Sequence, residues 1–182
     1  MEEPKTSSRK RLLDAADALA REVGPAHLSL DAVAARAGLS KGGLLYNFPT
    51  KAKLLEALVE AHIERAEAAL LESESACCAQ PNGMALAYLD HFCKERRERP
   101  APASGMLAAI VEHPQLIDPI RRHQRVLLDR LKTRSEDTDL AFIAFLVIEG
   151  LRCQQLLDSQ SLEQDEVEQV LSRLGKLLSE QR

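Results

Sequence analysis

Ser40-Lys41-Gly42-Gly43 and, one turn further on, Tyr46-Asn47 bring together residue types suited to holding a nucleic-acid duplex. Lys41 can donate to the acceptor edge of a guanine. The hydroxyls of Ser29 and Tyr46 and the ammonium of Lys51 can meet phosphate oxygens. Ser40 and Asn47 bound the same short segment and are counted with these candidate contacts. Gly42 and Gly43 stand out, because each costs about 1 kcal/mol relative to alanine in a helix interior. One reason to accept that cost is close approach of the backbone to another surface. The first turn then lies on base edges and offers its N–H groups to phosphate. The other reading is that the glycines only let two helices of the chain itself pack closely.

The surrounding residues supply the elements that would position such contacts. Leu30, Val33, Ala34 and Ala37 recur at helical spacing, with Ser29 where a cap should sit. Gly38 ends that helix. Ser40 caps a second, short one over Lys41–Asn47, Pro49 stops it, and Thr50 caps the next. Two short helices joined by a glycine-containing turn form a helix-turn-helix, which sets its second helix in a major groove. The charge pattern agrees. From Ala32 to Leu55 there are four basic side chains, Arg36, Lys41, Lys51 and Lys53, and no acidic one, in a chain of net charge −4. A phosphate backbone selects for such a stretch. A small helical bundle with a solvated basic face is the plainer alternative.

These residues carry a family resemblance. Ser29, Val33-Ala34, Ala37-Gly38-Leu39-Ser40, Lys41-Gly42, Tyr46, Phe48-Pro49-Thr50-Lys51 and Leu54-Leu55 resemble the DNA-binding domain of the TetR (tetracycline-repressor-like) transcriptional regulators. The likeness covers roughly residues 9–55. It departs at Leu45, where the family usually has tyrosine, so a phosphate contact is lost there and Tyr46 is placed to supply one from the next position. The resemblance implies a dimer formed through the last two long helices and an effector pocket among the middle ones.

Composition and motifs bound the rest. Alanine and leucine dominate and aromatics make up 3%, which favours an all-α fold. The N-terminus lacks the apolar core of a signal peptide, and the longest apolar run, Leu140–Ile148, is nine residues against the twenty or so of a membrane span. A cytosolic protein without a membrane role is expected. Cys77 and Cys78 are adjacent, Cys93 and Cys153 isolated, and no C-x-x-C exists. None of the five histidines has an acid three residues before it, and no phosphate loop, dinucleotide fingerprint or nucleophile elbow occurs. Neither an enzyme, a metal site nor a cofactor is expected.

Three N-terminal helices are expected, the first over Ser8–Val23. They form a DNA-binding domain over residues 1–50. A long helix from Lys51 to about Ser73 leads into an effector-binding and dimerisation domain over 51–182. Further helices are read over Met84–Arg99, Ala103–Glu112, Asp118–Arg134, Thr138–Ser159 and Glu163–Ser179. Tyr88, Phe92, Met106, Ile110, Phe142 and Phe145 are candidate effector-lining residues, with plain core as the competing reading. Glu149 and Arg152 suit a polar anchor, an i,i+3 ion pair or contacts across a dimer. Leu140–Ile148 is apolar on every face, and Val167, Val170, Leu171, Leu174 and Leu178 form a near-heptad seam. Both point to a four-helix interface between two subunits, with Leu146 and Glu149 among its members. The expectation is therefore a repressor that binds double-stranded operator DNA as a homodimer and is released from a pseudo-palindrome by a small, mainly apolar effector. An all-α dimeric interaction protein with a degenerate helix-turn-helix is the alternative.

Overall fold

Side-chain caps set most helix starts. In a computed structural model describing residues 7–24, 27–98, 106–157 and 159–180, Ser7 Oγ accepts from Lys10 N at 3.3 Å and opens α1 (Ser8–Val23). Ser29 caps α2 (Leu30–Arg36) through Ala32 N at 3.5 Å, and Ser40 caps α3 (Lys41–Asn47) through Gly43 N at 3.1 Å. Between them Gly38 takes φ +63°, a backbone that glycine adopts without strain, and lets Leu39 N–H return to the Ala34 carbonyl at 2.9 Å. Thr50 opens α4 (Lys51–Cys77) by accepting from Lys53 N at 3.1 Å. Then follow α5 (Gly83–Glu98), α6 (Met106–Glu112), α7 (Ile117–Arg134), α8 (Thr138–Leu156) and α9 (Gln164–Ser179). No strand occurs among the described residues, and no described helix is long and apolar enough to cross a membrane.

Several boundaries differ from the sequence reading: α5 starts at Gly83 and α9 at Gln164, each one residue away, and α8 ends at Leu156 rather than about Ser159. Helix α4 continues past Ser73 to Cys77, because nothing between them breaks a helix. Helix α7 begins at Ile117, since a 3-10 turn over Pro114–Leu116 feeds directly into it. The start expected for α6 at Ala103 lies outside the described residues.

The chain divides into two compact units, Met1–His62 with Ala103–Ile120, and Ile63–Pro102 with Arg121–Arg182. The division falls inside α4 rather than at residue 50. In the first unit Leu12, Ala16, Val33, Ala34, Leu44, Phe48 and Leu54 form one core, so the opening turns of α4 belong with the helix-turn-helix. Leu55, Ala109 and Leu116 form a second, smaller cluster there. In the second unit α5, α8 and α9 pack around Met84, Tyr88, Phe92, Phe145, Ile148, Leu171 and Leu178.

The α9 seam calls for a correction. Val167, Leu171, Leu174 and Leu178 lie in this core rather than on a surface open to a second subunit. Within one chain α5 and α8 already cover them. Within one chain Leu140–Ile148 is not covered on every face: Ile143 is 51% and Leu146 67% exposed. Val170 on α9 is 40% exposed.

One buried amide ties this unit together. Asn82 Nδ2 donates to the Leu178 carbonyl at 3.0 Å, and its Oδ1 accepts from Asp137 N at 3.0 Å. The end of α9 and the start of α8 are thus satisfied by the side chain that precedes α5. An unsatisfied buried polar group costs about 1–3 kcal/mol. Asn82→Ala should therefore lower the unfolding free energy by about 2–4 kcal/mol, measured by urea denaturation. Leu174→Glu should unfold the unit rather than yield a folded monomer.

Candidate nucleic-acid interface

Helix α3 is held by its inner side alone. Leu44 is its one buried residue, and Phe48, just beyond its end, is buried with it. The Arg9 guanidinium lies 5.0 Å from the centre of the Phe48 ring. Arg11 Nη2 donates to the Ala37 carbonyl at 2.6 Å and so pins the turn between α2 and α3 to α1. Arg36 is engaged with Glu22 through two hydrogen bonds of 2.7 Å, which hold the Glu22 carboxyl below its usual pKa. Within the acid-free stretch, Arg36 is thus charge-compensated by α1.

The outer side of α3 is open. Tyr46 is 89% exposed. A Cβ built at Gly42 would meet only Ser40 Oγ, at 3.9 Å, and one at Gly43 would meet the same atom at 3.4 Å. No neighbouring helix crowds either glycine. The reading that they exist for close packing within the chain is removed, and approach to an external surface remains. Lys41 Nζ sits 3.0 Å from Asp31, in a pair whose side chains are both more than 60% exposed. Such a pair is weak in water, so Lys41 can exchange Asp31 for another acceptor.

The other candidates divide by the work they already do. Ser29 and Ser40 are exposed, and their hydroxyls cap α2 and α3. Asn47 turns back to donate to the Gly43 carbonyl at 2.8 Å. Lys51 Nζ lies 3.8 Å from Glu112 and is mostly covered. Leu45 is part-exposed beside Tyr46. The structure therefore brings Lys41, Gly42, Gly43 and Tyr46 onto one outward surface, with Ser29 and Lys51 on flanking elements. Sequence reasoning missed Arg11 as the residue that orients the turn. Its only signal was a basic side chain on α1 among otherwise solvated ones.

The candidate effector residues do not form one group. Tyr88, Phe92 and Phe145 are buried in the second unit's core, with Tyr88 and Phe145 stacked at 6.2 Å. Phe142 is half-buried under Lys132 Nζ, 5.5 Å from its ring centre. Ile110 instead packs with Leu55, Ala109 and Leu116 in the first unit. The side chain of Met106 lies outside the described residues. Glu149 is turned inward: Tyr88 OH donates to its Oε1 at 2.5 Å and Gln124 Nε2 to its Oε2 at 2.6 Å. This corrects its placement at a subunit surface.

A helix-turn-helix with an unpartnered second helix, carried in one chain with a separate helical unit, is the layout of a two-part DNA-binding regulator. Residues 12–58 match the bacterial regulatory proteins of the tetR family. Residues 82–179, more than half of the chain, match the tetracyclin repressor-like C-terminal domain. The chain belongs to this family, and it is a DNA-binding transcriptional regulator. Similar solved structures include a candidate transcriptional regulator from Streptomyces coelicolor A3(2), 20% identical with a TM-score of 0.71, covering 93% of this chain and 99% of that one. A candidate TetR-family regulator from Rhodococcus sp. is 24% identical with a TM-score of 0.63, over 95% and 98%. The multidrug-binding protein EbrR, complexed with ethidium, is 22% identical with a TM-score of 0.67, over 92% and 98%. At these identities the likeness is one of fold. No curated protein sequence matches the chain.

The absence of a crowding helix at Gly42 gives a clean test. Gly42→Leu should leave the melting temperature unchanged or slightly raised, since leucine favours a helix by about 1 kcal/mol over glycine. Its affinity for a duplex selected by the wild-type protein should fall by at least tenfold, roughly the loss of one base contact, read by fluorescence anisotropy. Unchanged affinity would remove α3 from the interface.

Proposed function

We propose that this regulator is a repressor that binds a pseudo-palindromic operator as a homodimer and leaves it when a small effector enters the second unit. The observation that carries the reading is the outer surface of α3, with Tyr46 exposed and no neighbouring helix crowding Gly42 or Gly43. Lys41 and the glycines meet base edges. Ser29, Tyr46 and Lys51 meet phosphates, Lys51 exchanging Glu112 for the backbone anion. Ile143 and Leu146 on α8 and Val170 on α9 are exposed apolar side chains that a second copy would cover. Two-fold symmetry then sets two half-sites about 34–36 Å apart.

Small-molecule binding by the second unit is supported by the family and by EbrR, which is complexed with ethidium. A route to the DNA-binding unit exists in α4. Within the second unit Arg130 pairs with Glu67 and Glu74, and Arg134 with Glu74, so α7 grips the end of α4. The opening turns of the same helix belong to the first unit. An effector that shifts α7 thus acts on the helix that carries Lys51. A differential affinity of about 1–3 kcal/mol suffices for such coupling.

Selection of random duplex DNA on the purified protein tests the whole reading, and failure to enrich any sequence would refute it. Two variants test its parts. Lys51→Ala should weaken binding to all sequences alike and reduce the slope of log K against log salt by about 1. Leu146→Glu should sediment as a folded monomer and lose tight operator binding. A wild-type protein that is monomeric at micromolar concentration would contradict the dimer.

A further inference from the structure

The second unit contains a cation held between rings and carboxylates, and that cation is the chain's own Arg152. Its guanidinium carbon lies 5.7 Å from the centre of the Tyr88 ring and 5.5 Å from that of Phe92. Nη2 donates to Glu95 Oε2 at 2.8 Å, and Nη1 stands 3.9 Å from Glu149 Oε1. Tyr88, Phe92 and Glu95 share one face of α5, three or four residues apart. Glu149 and Arg152 face them from α8. Aromatic faces backed by carboxylates are the chemistry that recognises organic cations.

Arg152 fits this enclosure poorly. Its Nε is buried without a hydrogen-bond partner, and Nη1 is beyond hydrogen-bonding distance of Glu149. The enclosure also persists without it. Glu149 is held by Tyr88 OH and Gln124 Nε2, two neutral donors that do not depend on Arg152. His91, one turn before Glu95 on the same helix and only 8% exposed, has its Nε2 unpartnered as well. Burial pushes the imidazoles of His91 and His123 below their ordinary pKa, so both are neutral near pH 7 and neither supplies the missing charge. Burial likewise raises the Tyr88 hydroxyl, which stays a donor. A second guanidinium, that of Arg96, lies 6.0 Å from the centre of the Phe92 ring, so Glu95 and Glu149 are set against two cations, of which Arg152 is the one between the helices.

We propose that Tyr88, Phe92, Glu95 and Glu149 form a binding site for an organic cation with a flat guanidinium-like head and an apolar body, occupied in the free protein by Arg152. The incoming cation takes the place between the rings, bonds Glu95 and pairs with the charge of Glu149, whose oxygens keep their bonds to Tyr88 and Gln124. Arg152, whose side chain is about one-third exposed, is released to solvent on its long stem. Its departure removes a tie between α5 and α8. Glu149 is bonded to Gln124 of α7, and the adjacent His123 faces Glu67 of α4 at 3.8 Å, so displacement here reaches the helix that enters the first unit. The proposal rests on the second unit being the effector-binding one and names the ligand class.

The test is calorimetric titration of the full chain with benzylguanidinium, with neutral N-benzylurea and anionic phenylacetate as controls. The wild type should bind the cation and neither control. Arg152→Ala should bind it about tenfold more tightly, because the internal competitor is gone, and Glu95→Gln should weaken it about tenfold. Arg152→Met keeps the stem's volume and serves if the alanine variant melts early. The wild type and Glu95→Gln carry the test if neither folds. Equal binding of the urea, or no gain on removing the Arg152 charge, overturns the site. Repeating the titration with the selected duplex separates the two readings. Weaker cation binding in the presence of DNA supports both. Binding that ignores DNA supports the cation site and overturns its role as the effector site.

Discussion

The burial of Leu44 is the contact on which the DNA-binding unit depends. Helix α3 has seven residues and two glycines, and isolated helices shorter than about 12–15 residues are marginal in water. Leu44, fully buried, and Phe48 beside it fasten α3 to Leu12, Val33 and Leu54. Because one inward side chain provides the attachment, the residues around it are free of packing duties. That permits glycine at 42 and 43 and an almost naked tyrosine at 46. Arg11, bonded to the Ala37 carbonyl, adds the orientation that a single apolar anchor cannot supply.

The second unit solves a different problem. Its core is rich in alanine and leucine, yet Glu149 points into it beside Tyr88 and Phe145. A carboxylate in such surroundings is costly unless its oxygens are satisfied. Tyr88 and Gln124 satisfy them from α5 and α7, and Arg152 and Glu95 extend the polar group towards solvent. Fully bonded networks of this kind specify one arrangement of helices. The orphaned nitrogens of Arg152 and His91 mark where this one is incomplete.

Helix α4 joins these two designs. Leu54 and Ala57 serve the first core and Leu70 the second. Its far end is fastened by charge as well as by apolar contact. Burial alone would raise the Glu74 carboxyl, but hydrogen bonds from Arg130 and Arg134 hold it below the ordinary range. A charged grip is directional and can be shifted by a neighbouring ligand, whereas the apolar contacts at the near end yield only by opening a cavity.

Local chemistry was fully legible in the chain. The caps at Ser29, Ser40 and Thr50, the turn at Gly38 and the stop after Asn47 depend on residues within four positions of one another, so sequence alone determined the helix-turn-helix. Lys41, Gly42, Gly43 and Tyr46 were legible as a surface for the same reason: they lie within two turns of one helix. Which face of a long apolar helix meets which neighbour is not local. Val167, Leu171, Leu174 and Leu178 have the spacing of an interface seam, and only tertiary packing shows α5 and α8 already covering them. The aromatic residues at 88, 92 and 145 and Ile110 read alike in sequence but fall in two different cores. Glu149 and Arg152 left three readings open; the i,i+3 pair is present at 3.9 Å, and partners 61 and 57 residues away, Tyr88 and Glu95, turn it into the unit rather than towards a subunit surface. Short-range hydrogen bonds are written in neighbouring residues, while burial depends on what the rest of the chain brings alongside.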